Sequence, residues 1–254
     1  MREIKLEPIL TLLNEDNVIP EEEKVGFIFP IYVNSIPAPV KQLVNKIDFS
    51  SVKYIFTITT NCGFPGRVDY LLDQLLRGKG AKLDVYYSLK MAINTPTGLL
   101  PAFMANKKWT NLISNDKIVT MEIKIQEELN LIAQTLKEGR SNYDSNNRPG
   151  VFRRLLLSIT EGMSPANKTT VIGFIAADDC NSCGICEEVC PSGQISLVDG
   201  KPQWQKHINC YFCYACFNFC PQQAIVHNGY KYKTGRYKHP DITVKDIAAQ
   251  KQAK

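Results

Sequence analysis

CNSCGICEEVCP at 180–191 and CYFCYACFNFCP at 210–221 carry the decisive pattern. In each, three cysteines stand at two-residue intervals, a fourth follows after three residues, and proline comes next. Cys180, Cys183, Cys186 and Cys190 recur 30 residues later as Cys210, Cys213, Cys216 and Cys220. A fixed internal period reads as two copies of one supersecondary unit that share a core. Eight of the nine cysteines lie in these two stretches; the ninth is Cys62. The N-terminal MREIKLEPIL is charged where a signal peptide needs an apolar core, so a cytoplasmic location is expected. Thiols stay reduced there, and metal ligation is the better reading than disulfides. The competing metal is zinc in an interaction module. Zinc sites pair two short knuckles across a longer loop and need four ligands, not this doubled eight-cysteine pattern.

The flanks fit a small α+β unit. Val171–Ala177 reads as a strand entering the first motif. Gln194–Val198 meets the hairpin signal Asp199-Gly200, and Pro202–Trp204 returns; Ala224–His227 meets Asn228-Gly229 at the equivalent place. So few residues cannot be held by their core alone, so bound clusters are expected to contribute folding energy. The second motif is rich in aromatics, with Tyr211, Phe212, Tyr214, Phe217 and Phe219 between its cysteines, whereas the first carries Asn181, Ser182, Glu187 and Glu188. The two sites should therefore feel different surroundings. Lys231, Lys233, Arg236 and Lys238 make the following segment basic, either as a docking face or as a solvated one.

The first half alternates strand and helix. KVGFIFPIYV (24–33), KYIFTITT (53–60) and KLDVYYSL (82–89) are apolar runs of the kind buried on both faces of a parallel sheet. Val40, Leu43, Val44 and Ile47, and then Val68, Leu71, Leu72, Leu75 and Leu76, have helical spacing between them. The repeat of 29 residues from strand to strand is a βαβ length, which gives an α/β doubly wound sheet. Ligands of such sheets bind beyond the C-terminal ends of the strands, so the loops Pro30–Ser35 and Thr60–Gly66 are the ones to inspect; the alternative is a pair of ordinary turns. Residues 117–138 have an amphipathic stripe of Ile118, Met121, Ile125, Leu129, Ile132 and Leu136, followed by a polar linker at 141–150 and the apolar VFRRLLLSI at 151–159. The expected domains are 1–116, a helical connector at 117–170, a cysteine-rich domain at 171–240 and a tail at 241–254.

Composition sets outer bounds. The chain has 254 residues, 44% hydrophobic and 22% charged, which is ordinary for a globular protein and excludes collagen, coiled coil and disorder as its main architecture. No run is long enough to span a bilayer. The formal charge of +5 treats thiols as neutral. Two clusters of about −2 each would lower it to about +1, so it does not argue for nucleic acid.

The cysteine motifs resemble those of bacterial ferredoxins with two 4Fe–4S clusters, whose fourth cysteine ligates the other cluster. The resemblance implies one cluster on Cys180, Cys183, Cys186 and Cys220, and another on Cys210, Cys213, Cys216 and Cys190. The whole chain resembles flavodoxin–ferredoxin fusion proteins of anaerobic bacteria, through KVGFIFPIY, TNCGFPG (60–66), the doubled cysteine motif and GRYKHPDI (235–242). That implies a flavodoxin-like sheet binding FMN, with Tyr32, Asn34, Asn61, Cys62, Gly63 and Gly66 as flavin contacts. Relatives begin with a strand and a Ser/Thr/Gly-rich phosphate loop. This chain starts at what reads as the second strand and lacks both, so weak FMN binding or none is expected. The function implied is electron transfer through the two clusters to a redox partner protein that the sequence does not identify. The alternative is a flavin-dependent oxidoreductase acting on a small substrate, with the clusters as its wire. No catalytic residue is assigned.

Overall fold

The computed structural model describes residues 4–32, 34–63, 65–96, 114–144, 150, 173–227 and 236–251. The segment 151–159, the Asn228-Gly229 turn and Lys231 and Lys233 lie outside the described residues. The described chain forms two compact units. One contains residues 4–91, 119–144 and 150; the other contains 92–96, 114–118 and 173–251.

The first unit is built on a parallel sheet of β1 (Lys24–Pro30), β2 (Tyr54–Asn61) and β3 (Val85–Lys90), in that order. A short helix, α1 (Ile9–Leu12), precedes it. The crossovers are α2 (Ala38–Lys46) and α3 (Val68–Gly78). Pro37 and Pro39 preset the start of α2, where a missing N–H costs nothing. Val40, Leu43 and Val44 of α2 and Val68, Leu72 and Leu76 of α3 pack on Phe27, Phe29 and Ile55. The opposite face of β2 and β3, with Ile58 and Leu89, receives Ile132 of α4 (Asn115–Glu138). Helices thus cover both faces, as an α/β sheet requires.

Three expectations change. The first run is not buried on both faces: Ile28 is 56% exposed while Phe27 and Phe29 are buried, and among the described residues β1 pairs with β2 alone. Its outer face also carries Gly26, across which the Phe56 ring lies so closely that a Cβ would overlap it. Second, the strands run in unbroken order. A missing first strand of the flavodoxin-like order 2-1-3-4-5 could leave a gap between the second and third, and β1 and β2 show none. Third, residues 117–144 are more than a connector and linker. Tyr87 and Thr135 hydroxyls lie 3.1 Å apart, Lys24 Nζ donates to the Leu136 carbonyl, and the Tyr54 hydroxyl donates to the Arg140 carbonyl at 2.6 Å. The next residues run beside β3: Tyr86 N–H donates to Asn142 Oδ1, and Tyr143 N–H to the Asp84 carbonyl. Polar composition hid this, because Asn and Ser here bond backbone groups at the sheet edge.

In the second unit, β4 (Phe174–Ala176) pairs antiparallel with β7 (Ile225–His227), and β5 (Ile195–Val198) with β6 (Lys201–Trp204). The hairpin turns at Asp199 and Gly200, whose φ values of 50° and 74° are those of the expected tight turn. One-turn helices α5 (Ile185–Glu188) and α6 (Ala215–Asn218) lie 30 residues apart. So do the left-handed residues: Ser182 and Phe212, Gly184 and Tyr214, Gly193 and Gln223. The sequence repeat is therefore a backbone repeat. Residues 244–249, expected to be tail, form α7 (Val244–Ala249). Thr243 caps it by accepting from Asp246 N–H while the Asp246 carboxylate accepts from Thr243 N–H. No described helix is long and apolar enough to cross a membrane.

Candidate metal centres

Each motif begins as a loop with left-handed backbone at every second residue, Ser182 and Gly184 in the first and Phe212 and Tyr214 in the second, and N–H groups of these loops approach the thiols. Phe212 N–H donates to Cys210 Sγ at 3.4 Å, and the N–H groups of Glu187 and Ala215 act on the thiols of Cys186 and Cys213. The one-turn helix then carries the third cysteine and leads to the fourth, so the fourth thiol leaves the loop of its own motif.

The eight thiols line two cavities. One is bordered by Cys180, Cys183 and Cys186 of the first motif and Cys220 of the second. The other is bordered by Cys210, Cys213 and Cys216 of the second motif and Cys190 of the first. Among the described residues no three Cys, His, Asp or Glu side chains are gathered around a single-ion point. Thiolates on a cubane bind different irons and stand wider apart than four around one zinc at about 2.3 Å.

Four of these thiols, Cys186, Cys210, Cys213 and Cys216, are hard to charge without a metal. Burial pushes Cys186 up to about 11, and the neighbouring Cys220 and Cys180 add to it. Burial also raises Cys210 to about 11, Cys213 to about 12 and Cys216 well above the usual thiol value, with Cys190 contributing to all three. Four crowded thiolates in each cavity require a strongly cationic guest, and loading it must release protons.

The surroundings differ. Asn181, Ser182 and Cys183 of the first loop are exposed, whereas Tyr211 and Cys213 are half-buried and Phe212 is buried. The first cavity is walled by Leu197, Pro202, Gln222 and Ile225. Phe174, Trp204, Tyr211 and Tyr214 wall the second. Residues the sequence did not single out cover the second loop. Asn218 donates to the carbonyls of Asn94 (2.9 Å) and Tyr214 (3.0 Å), Asn94 donates to the Cys213 carbonyl, and Thr95 hydrogen-bonds Tyr214. Arg236 is half-buried and binds backbone carbonyls rather than presenting a basic face; Lys238 is exposed.

Residues 179–225 match the family described as 4Fe-4S dicluster domain. The chain thus contains a ferredoxin-type iron–sulfur domain, and such a domain serves electron transfer. Among curated proteins and solved structures, none matches this chain.

The residues expected to contact flavin lie in two loops at the C-terminal ends of β1 and β2. These loops meet: a Cβ on Gly66 would stand 2.9 Å from the Asn34 carbonyl oxygen. Gly66 (φ 63°) and Gly63 (φ 110°) have left-handed backbone. Tyr32 is half-buried and paired with Ser35 across a tight turn; Asn34, Cys62, Gly63 and Gly66 are exposed. Asn61 faces inward. Its amide donates to Ser88 Oγ (2.8 Å) and the Leu89 carbonyl, and its oxygen accepts from Gly63 N–H at 2.6 Å. Its hydrogen-bonding groups are thus engaged in holding the loop.

Proposed function

We propose that the chain is an electron-transfer protein with two 4Fe–4S clusters held in crossed sets, one by Cys180, Cys183, Cys186 and Cys220, the other by Cys210, Cys213, Cys216 and Cys190. The observation that supports this reading is the lining of the two cavities, each with three cysteines of one motif and the last of the other. Bound clusters supply one-electron chemistry. The chain's residues do the rest. Thiolates fix each guest, and loop N–H groups aimed at sulfur favour the charged form. Phe174, Trp204, Tyr211 and Tyr214 exclude water from the second site. Anaerobic reconstitution tests the reading: about eight iron and eight sulfide per chain, with two EPR signals after reduction, are expected. Zinc, or four irons only, contradicts it.

The parallel sheet with its two loops meeting at Asn34 and Gly66 supports a flavodoxin-like reading of the first unit. FMN binds it weakly or not at all, since Asn61 is engaged within its own loop. Titration of the purified chain with FMN checks this, and a submicromolar dissociation constant contradicts it.

A further inference from the structure

We propose that Arg236, outside the residues that match the dicluster family, is a positioning residue for the cluster that Cys220 completes. The inference rests on the crossed-set reading above. The Arg236 guanidinium stacks on the Phe217 ring, its carbon 3.9 Å from the ring centre. Nη1 donates to the Phe217 carbonyl, and Nη2 donates to the carbonyls of Gln223 (2.5 Å) and Ile225 (2.7 Å). These three carbonyls bracket Cys220: one lies in α6 before it, two follow its proline. The adjacent Tyr237 N–H donates to Asn218 Oδ1, which ties the backbone to the same helix.

The two repeats show why the second needs such a clamp. A one-turn helix leaves carbonyls without internal partners, and a cation suits them. In the first repeat the carbonyl equivalent to Phe217 is that of Glu187, which accepts from Lys251 Nζ at 3.1 Å. The turn after its fourth cysteine uses Gly193 (φ 67°), which adopts that backbone freely. In the second repeat the same turn is Gln223 (φ 53°), and a side-chained residue holds a left-handed turn only where its surroundings impose it. The planar fork of Arg236 grips two carbonyls on the far side of Cys220 and one on the near side, which an ammonium group cannot reproduce. Cys190 therefore sits in a self-sustaining turn, and Cys220 in one held from outside the motif.

The test uses the full reconstituted chain and EPR-monitored redox titration. Cys180→Ala identifies the first cluster's signal as the one that it removes. Arg236→Gln is expected to shift the shape and midpoint potential of that signal more than those of the second cluster's. Arg236→Lys is expected to restore it only in part. Adding Gln223→Gly to Arg236→Gln is expected to bring the signal back toward wild type, because glycine holds the turn unaided. A shift confined to the second cluster's signal, or none in either, overturns the proposal. If Arg236→Gln gives no soluble chain, Arg236→Lys decides by the same criterion. A wild-type chain without two 4Fe–4S clusters would instead overturn the function proposed above, which the iron and sulfide count reads separately.

Discussion

The two cysteine loops share a backbone and differ in what lies over it. Ser182 and Phe212 have φ values of 62° and 60°, and Gly184 and Tyr214 of 79° and 57°, so the peptide course is nearly the same. Yet Ser182 is exposed and Phe212 is buried. The difference comes from Asn94 and Thr95, which lie in sequence outside both motifs, and from the aromatic wall of Phe174, Trp204, Tyr211 and Tyr214. Spacing of the cysteines sets the loop; burial is set by residues brought in from elsewhere. A covered cluster and an open one differ in solvent access and hence in potential.

The largest test of this contrast is Phe217→Ala. Phe217 is fully buried and stacks on Phe174 at 5.9 Å between ring centres, and Phe174 lines the second cavity. Its loss should cost about 3–5 kcal/mol, with the second cluster's signal disappearing before the first on heating. Loss of the first cluster ahead of the second would break the comparison. Next comes Asn218→Ala, which removes hydrogen bonds to Asn94, Tyr214 and Tyr237. Leaving those groups unmatched should cost about 1–3 kcal/mol and open the second loop. In the wild type a hydrophilic iron chelator should strip the first cluster faster; in Asn218→Ala the two rates should converge. Unchanged rates would mean that Asn94 and its neighbours do not protect the second site. The smallest effect is expected for Gly184→Ala. An added Cβ would meet only Leu197 Cδ1, at 3.6 Å, so the cost is that of the left-handed backbone alone, about 1 kcal/mol by thermal denaturation. A cost of several kcal/mol would show that the first loop is packed as tightly as the second.

How much of this was legible in the sequence follows the reach of each signal. The cysteine repeat, the Asp199-Gly200 hairpin and the helices after Pro37 and before Gly80 were legible because spacing and turn chemistry act over a few residues. The cap formed by Thr243 and Asp246 has equally local chemistry, and a search for Thr followed three residues later by an acid would have found α7. The open face of β1 was not legible: Ile28 sits in an apolar run, and only the sheet order reveals that it has no covering neighbour among the described residues. Nor was the cover of the second loop, since Asn94 and Asn218 are 124 residues apart. The bonds that Asn61 makes within its own loop were not legible either, because a side chain that completes a turn and one that binds a ligand have the same sequence signature.

The crossing of the fourth cysteines is the claim on which the rest depends, and paired alanine variants test it most directly. If Cys220 belongs with the first motif, Cys220→Ala and Cys180→Ala must leave the same surviving EPR spectrum and about half the iron. Cys190→Ala must in turn match Cys210→Ala. If Cys220→Ala instead leaves the spectrum of Cys210→Ala, each motif holds its own cluster and the account is wrong.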